Sequence, residues 1–219
     1  MRRQSLAAPI VLGVGAVAAG GAFALLARAI AKRDTLEVDR ALHRELTPSK
    51  SNPLRTAGKV LGPIGKWYSY VPVAMSLAGS LLNSTESATG RKSQRRNRRR
   101  GAAAIVASGV ASVALTELFD RVLPQPPSPP GHERGKPVFP SGHTFGPLAV
   151  GLAGSYVLGR ERLVSPRFSV PAALTIPLVS AATRVVEEKH WGSDVLGGAL
   201  GGVAVAGAIL AAYELMRES

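Results

Sequence analysis

The sequence contains no cysteine, which excludes disulfide bonds and thiolate metal sites and leaves the redox compartment undetermined. Aromatic residues make up only 5% of the 219 residues, although 46% are hydrophobic. Acidic residues are also few, since 14 Asp and Glu stand against 27 Lys and Arg, a formal charge of +13. Basic residues scattered over a soluble fold would indicate nucleic-acid binding. Here they form short blocks between long uncharged runs, which is typical of a membrane protein and predicts no nucleic-acid partner.

Six apolar runs are candidates for membrane-spanning helices, each of which needs roughly 20 residues to cross the bilayer. They cover about 6–27, 67–83, 101–119, 143–159, 168–183 and 195–213. We therefore predict an all-α fold, a six-transmembrane helix bundle that forms a single domain over 1–219. Two alternatives are buried helices of a soluble protein and a cleaved signal peptide at the first run. That run exceeds the ~7–15 apolar residues usual for a signal peptide, which favours an uncleaved anchor.

The basic residues predict the orientation of the bundle. The run "RKSQRRNRRR" at 91–100 lies in the loop 89–100 between the second and third spans, and it places this loop in the cytoplasm. We therefore predict a bacterial inner-membrane protein with both termini in the cytoplasm. Its loops on the outer side are 28–66, 120–142 and 184–194. This orientation conflicts with three cations just after the first span, namely Arg28, Lys32 and Arg33. Nearby acidic residues partly offset their charge. A lipid- or RNA-binding role for the basic run is the alternative, and the sequence indicates no oligomeric state.

Two polar clusters fall on the predicted outer side. "FPSGHTFG" contains Ser141 and His143 where the fourth span begins, and "TRVVEEKHWGSD" contains Arg184, His190 and Asp194 between the last two spans. A carboxylate beside an imidazole fixes its tautomer, and a guanidinium suits phosphate oxygens. Ser141 is expected to cap the following helix, whose first N–H groups can hold an anion.

Each of these residues also has a structural interpretation. A histidine at a membrane boundary can be an interfacial hydrogen-bonding group, Asp194 can cap the sixth helix, and Arg184 can extend to the interface. Their convergence on one side of the membrane favours a functional site. In "GGALGG", Gly198 and Gly202 predict close helix packing, and no nucleotide-binding loop is expected because no strand precedes it and no Gly-Lys-Ser/Thr follows it.

The two clusters resemble the type 2 phosphatidic acid phosphatase superfamily. Pro140-Ser141-Gly142-His143 matches the second family motif, and Arg184, His190 and Asp194 match the third at its spacing, with Thr183 where Ser is usual. "EVDRALHREL" at 37–46 is similar to the segment that family members carry between their first two spans. The resemblance implies six spans, with the active site at the extracytoplasmic ends of helices 3 to 6.

The first family motif departs from the pattern. Arg121 takes the position of its Lys, and Ser128 stands where its Arg is expected, followed by Pro129. A phosphate-binding cation is therefore missing from its usual place. Arg134 or Lys136 in the same loop is a candidate substitute.

The resemblance implies hydrolysis of a lipid phosphate without a metal or other cofactor. His190 would be the nucleophile, oriented by Asp194, and His143 the general acid and base. Arg121, Ser141, Gly142 and Arg184 would bind the phosphate. The implied substrates are phosphatidate, phosphatidylglycerol phosphate, and polyprenyl phosphates or diphosphates. The alternatives are a catalytically impaired lipid-binding or scaffold protein, which Ser128 motivates, and a vanadate-dependent haloperoxidase, against which the six spans argue.

Overall fold

The computed structural model describes residues 6–46, 56, 58–59, 62–84 and 92–217. These residues form seven α-helices and a short 3-10 helix over Gly62–Gly65, and within the ranges just given there is no β-strand. The helices, in chain order, are α1 Ala7–Ala31, α2 Leu36–Leu46, α3 Trp67–Asn83, α4 Lys92–Val122, α5 Gly142–Arg160, α6 Pro166–Val186 and α7 Gly192–Met216. The predicted all-α class is confirmed for this part of the chain.

Four helices are long and apolar enough to cross a membrane, namely α1, α4, α6 and α7. The surface of α1 supports this interpretation, since Val11 and Val17 are 70% and 77% exposed. Exposure of such an apolar surface is unfavourable in water and is expected where a helix faces lipid. α3 has only 17 residues, and α5 lies at the centre of the bundle, where it packs against α3, α4, α6 and α7. A helix surrounded by protein needs less apolar surface than one facing lipid.

The start of α4 differs from the predicted loop. The helix begins at Lys92, so the basic residues from 92 to 100 form its first turns. Asn97 and Arg98 are buried there, and the guanidinium of Arg98 lies 3.8 Å from the carboxylate of Glu161. These contacts attach the basic turns to the loop 161–165 between α5 and α6. Helical geometry therefore continues beyond the apolar run, because packing and charge pairing replace lipid contact.

The core lies between α3, α4, α5 and α7. Leu81, Ile105, Val157 and Tyr213 are fully buried there. α4 and α5 approach closely at Gly101, where a Cβ atom would lie 2.6 Å from the Val157 side chain. This packing holds the first residues of α5 and α7 side by side at one end of the bundle. We call it the histidine end, because all four histidines of the sequence lie near it.

Candidate active site

The two motif segments meet where α5 and α7 begin. The Ser141 N–H donates a hydrogen bond of 3.0 Å to the backbone carbonyl of Asp194. At Gly198 a Cβ atom would lie 2.5 Å from the Ser141 carbonyl oxygen, and at Gly202 it would lie 2.7 Å from that of Phe145. The predicted close packing at these two glycines is confirmed. Residues some fifty positions apart in sequence thus become direct neighbours.

His143 and His190 face each other across this junction. Their ring centroids are 5.9 Å apart, in an edge-on arrangement. The Nδ1 atom of His190 lies 3.7 Å from the Oδ2 atom of Asp194, whose side chain is fully buried. Asp194 also accepts a hydrogen bond of 2.7 Å from the Trp191 N–H, so it caps α7 as well. With Nδ1 turned toward the carboxylate, Nε2 of His190 is the nitrogen left for chemistry.

His190 lies in the loop 187–191, and its environment favours the neutral ring. Burial, together with the charges of His132 and Arg184, lowers the pKa of His190 to about 3, although a hydrogen bond with the Val138 backbone acts in the opposite direction. Desolvation penalises the charged form of a base, which explains the direction. The ring is therefore unprotonated at neutral pH, as a nucleophilic imidazole must be.

Arg184 lies beside the pair, beneath a glycine segment that we define by Gly58, Gly62 and Gly65. Its Nη2 group donates a hydrogen bond of 2.7 Å to the Gly58 carbonyl, and Nη1 lies 3.0 Å from the Glu187 carboxylate. A Cβ atom at Gly62 would lie 1.9 Å from Nη2. At Gly65 it would lie 2.6 Å from the His143 side chain. Only glycine permits this approach, which brings backbone onto both motif residues.

A cavity of about 340 Å³ opens beside His143. Its polar lining includes Lys66, Thr116 and Glu117, together with the backbone of Gly65 and Gly142. The Lys66 ammonium group lies 5.5 Å from the centroid of the Tyr68 ring. Lys66 is a cation near the histidines that no family motif indicates. The glycines at 58, 62 and 65 are the only signal in the sequence that the chain approaches the site here.

The cations expected from the first motif and its loop lie farther out. The Arg121 side chain is 77% exposed and pairs with Glu117 at 3.3 Å, one helical turn away. Ser128 and Arg134 are exposed, and Lys136 pairs with Glu133 at 2.6 Å on the surface. Ser141 occupies the N-cap position of α5, but its hydroxyl makes no capping hydrogen bond, so that expectation is wrong. The hydroxyl instead accepts a bond of 3.4 Å from Thr144.

Residues outside the motifs hold the site together. Asp39 on α2 is buried and accepts hydrogen bonds from the Ser193 N–H, at 2.9 Å, and the Ser193 hydroxyl, at 2.6 Å. The side-chain oxygen of Gln125 accepts hydrogen bonds from the backbone N–H groups of Val138 and Phe139, which lie just before the Pro-Ser-Gly-His motif. Trp191 donates from Nε1 to the Pro127 carbonyl at 2.6 Å. Sequence reasoning did not identify these contacts, because they join distant segments.

A third imidazole, that of His132, lies next to His190 at a centroid distance of 5.9 Å. It comes from the loop 123–141 between α4 and α5, and no family motif indicates it. Among the residues with described positions, no group of three or more His, Asp or Glu side chains is placed to hold a metal ion. The ionisable groups at the histidine end therefore form a cluster of imidazoles and cations beside buried carboxylates.

Comparison with known proteins points in one direction. The family model of the PAP2 superfamily matches residues 93–217, more than half of the chain. The fold is similar to the crystal structure of a transmembrane PAP2-type phosphatidylglycerolphosphate phosphatase from Bacillus subtilis, with a TM-score of 0.71 and 20% sequence identity. That similarity covers 93% of this chain and 98% of the other. No curated protein sequence matches the chain.

Proposed function

This chain belongs to the PAP2 superfamily, and from that membership and the geometry of its site we propose that it is a membrane phosphatase acting on a lipid phosphate. The observation that carries the proposal is the arrangement of His143, His190 and Asp194. Two imidazoles face each other, and one of them, that of His190, lies beside a buried carboxylate. This is the arrangement that a nucleophile and a separate general acid require.

In the first step, the Nε2 lone pair of His190 attacks phosphorus and the bond from phosphorus to the lipid oxygen breaks. His143 in its protonated form gives its proton to that oxygen, so that the lipid leaves as an alcohol or as a lower phosphate. Asp194 stabilises the positive charge that develops on the His190 ring. The product is a phosphohistidine at position 190.

In the second step, the now neutral His143 accepts a proton from water as the water oxygen attacks phosphorus. The phosphorus–nitrogen bond breaks, inorganic phosphate leaves, and both histidines return to their starting states. No electron leaves or enters the site, and one water is consumed for each phosphate released. General acid–base catalysis of this kind contributes typically 10²–10⁴-fold to the rate.

The charge on the phosphate oxygens requires donors fixed in place. Arg184 is held beside His190, and the first backbone N–H groups of α5, at Gly142 and His143, are suited to an anion. We infer that Lys66, which shares a cavity with His143, adds a further cation. Arg121 forms an ion pair with Glu117, one of the residues that line this cavity. Arg121 would have to leave that ion pair to reach a phosphate in the cavity.

An apolar groove supports a lipid as the substrate. It has a volume of about 500 Å³ between α3, α5 and α6 and is lined along α5 from Pro147 to Leu158. Eleven helical steps of 1.5 Å give it a length of about 16 Å, roughly half of the ~30 Å hydrocarbon core. Tyr70 lines both the groove and the cavity beside His143, so the two are neighbours. One lipid tail in the groove would leave its phosphate at the histidines.

We further propose that α3 and α5 also cross the membrane, which gives six spans with the histidine end outside the cytoplasm. The concentration of arginine and lysine between 91 and 100, and the smaller group at Arg160, Arg162 and Arg167, favour this orientation. The described part of the first group, 92–100, and the whole second group lie at the end of the bundle opposite the histidines. Both chain termini are then cytoplasmic.

Phosphate release by the purified protein tests this function. The substrates are phosphatidate, phosphatidylglycerol phosphate, a polyprenyl phosphate and a polyprenyl diphosphate, each presented in detergent micelles. We expect release from at least one of them and none from the His190→Ala variant. Release that persists in His190→Ala would contradict the assigned nucleophile.

Two alternatives give different results in the same preparation. A catalytically impaired binding protein, motivated by Ser128, would retain a lipid phosphate without releasing phosphate. A vanadate-dependent haloperoxidase would oxidise halide when vanadate and peroxide are added.

A further inference from the structure

The imidazole of His132 lies next to that of His190. Its ring centroid is 5.9 Å from that of His190, which equals the distance between His190 and His143. His190 thus has two imidazole neighbours. Of these two neighbours, only His143 belongs to a family motif. The mechanism above leaves the other, His132, without a role.

The backbone around His132 fixes this position. The Gly131 N–H donates a hydrogen bond of 3.0 Å to the Glu188 carbonyl, so the loop 123–141 is joined to the loop 187–191 one residue before the imidazole. A Cβ atom at Gly131 would lie 2.8 Å from the Glu187 carbonyl oxygen, which shows how closely the two backbones approach. The placement of His132 therefore follows from contact between the two loops.

One hydrogen bond determines the tautomer of His132. Its Nδ1 atom lies 2.7 Å from the Lys189 carbonyl oxygen. A carbonyl only accepts, so Nδ1 carries a hydrogen, and Nε2 is the atom whose protonation is variable. Nε2 is buried and has no hydrogen-bond partner among the residues whose positions are described. A buried polar atom of this kind is destabilising unless a ligand or water meets it.

The missing partner is expected on this side of the site. The loop 123–141 carries Ser128 in place of the family's arginine, and Ser128, Arg134 and Lys136 are all exposed. From this loop, the His132 ring and the Val138 backbone contact His190, and His132 is the one of the two with an ionisable side chain. A phosphate bonded to the His190 ring would hold its oxygens near the two neighbouring imidazoles, whose centroids are each 5.9 Å from that ring.

We propose that His132 is a substrate-binding residue, whose Nε2 atom bonds a phosphate oxygen in the place of the missing arginine. The inference rests on the proposed function. Protonated Nε2 donates to an anionic oxygen, and neutral Nε2 accepts from a protonated one. Either bond contains one proton, so anion binding at this position is coupled to one proton. An arginine, which stays charged, would impose no such coupling.

Several ionisable groups surround His132. On the elements packed against it these are Glu188, Lys189 and His190 in the loop and Asp194 in α7, and Glu133 and Arg134 follow it on its own loop. The ammonium of Lys189 lies 3.0 Å from Glu187, and the Glu188 carboxylate lies 3.4 Å from the His43 ring. The last pair makes His43 a useful control, since it lies near the same loop but contacts Trp191 instead of His190.

Sulfate binding tests the inference without requiring turnover. Sulfate is a dianion throughout the range from pH 5 to pH 9, so any pH dependence of its affinity belongs to the protein. The dissociation constant is measured by calorimetry on the full chain in detergent, for the wild type and the His132→Gln, His132→Asn and His43→Asn variants. Gel filtration and thermal unfolding check that each variant is folded.

We expect the wild type to bind sulfate more weakly as the pH rises. A one-proton coupling changes affinity by up to about tenfold per pH unit. Both His132 variants should lose that coupling, and their pH dependence should be shallower by one proton. His132→Gln keeps a neutral N–H donor, so its affinity should be below that of the wild type at pH 5 and above it at pH 9. His43→Asn should follow the wild-type curve.

The outcomes separate this inference from the function on which it rests. Identical curves for the wild type and both His132 variants would overturn the role of His132 and leave the phosphatase intact. A wild-type protein that binds no sulfate at any pH would overturn the anion site itself, and with it this inference. If phosphate release is absent while the coupling is present, the catalytic assignment is at fault and the role of His132 stands.

Discussion

The Asp39 carboxylate and Ser193 are joined by two hydrogen bonds across 154 positions of sequence. Asp39 lies on α2, and Ser193 immediately precedes Asp194, which faces His190. Leu42, one turn further along α2, packs closely on Gly192. A Cβ atom added at Gly192 would lie only 2.6 Å from the Leu42 side chain. α2 is therefore a brace for the loop that carries the proposed nucleophile.

The Asp39→Ala substitution should lower kcat and leave KM little changed. Asp39 touches neither histidine, but loss of its two bonds frees the start of α7, and a misplacement of about 1 Å can reduce the rate by about 10²-fold. Asp39→Asn keeps an acceptor for the Ser193 N–H and should recover part of the activity. Steady-state kinetics measures both, with the exposed Glu37→Ala of the same helix as control. An unchanged kcat in Asp39→Ala would show that α2 does not position the nucleophile.

The two histidines of the site should differ in their response to the leaving group. With an aryl phosphate, whose leaving group needs no proton, His143→Ala should still form the phosphohistidine but hydrolyse it slowly. His190→Ala should form none. Rapid quenching with acid-labile phosphate detection distinguishes the two variants, and equal membrane insertion is the control. A covalent intermediate in His190→Ala would place the nucleophile elsewhere.

Stability should depend on pH through His190. In the unfolded chain this ring binds a proton below its ordinary pKa of 6.5, whereas burial lowers the folded pKa to about 3. The unfolded state therefore binds more protons between these values, and stability falls as the pH decreases from about 6.5 toward 3. His190→Gln should be less sensitive over that range. The measurement is the thermal unfolding midpoint in detergent, and parallel curves for the two proteins would contradict the assignment.

The apolar groove should determine the chain length of the substrate. Ala172 on α6 lines it, so Ala172→Phe narrows it and should raise KM for long-chain phosphatidate. A short-chain, water-soluble phosphate should be hydrolysed as by the wild type, because it needs only the polar cavity. Leu174→Phe, on the same helix outside the lining, is the matched control. Equal effects on both substrates would mean that the groove holds no tail.

The absence of cysteine makes the orientation simple to measure. A single cysteine at Arg134, in the exposed part of the loop 123–141, should react with a membrane-impermeant maleimide in intact cells. One at Ser165, in the loop at the opposite end of the bundle, should react only after the membrane is opened. The reverse pattern would turn the histidine end toward the cytoplasm.

Local patterns predicted much of the fold and part of the site. The apolar runs located the cores of α1, α4, α6 and α7, and the spacing of Gly198 and Gly202 indicated the contact that brings Ser141 onto α7. The start of α4 was missed, because its basic turns are stabilised by contacts with other segments that a hydropathy pattern does not record.

The positions of Asp39, Lys66 and His132 at the histidine end were missed for a related physical reason. Each lies near the site because of contacts between distant segments, such as Gly131 with Glu188 and Asp39 with Ser193, and these contacts leave no periodicity in the sequence. A usable signal did exist, since His43 and His132 fall in loops assigned to the same side as His143. Co-location of all four histidines was therefore open to prediction, although their distances were not.

The position of His190 between the last two helices has a consequence for biosynthesis. Its partner Asp194 lies at the start of α7, and α7 is the helix against which α1 packs. In the proposed mechanism, a ribosome-bound chain that has inserted its helices only as far as α6 contains His143, the proposed acid, but lacks the Asp194 partner of His190. We therefore expect the site to be completed in one late step, when α7 enters the membrane and packs against α1.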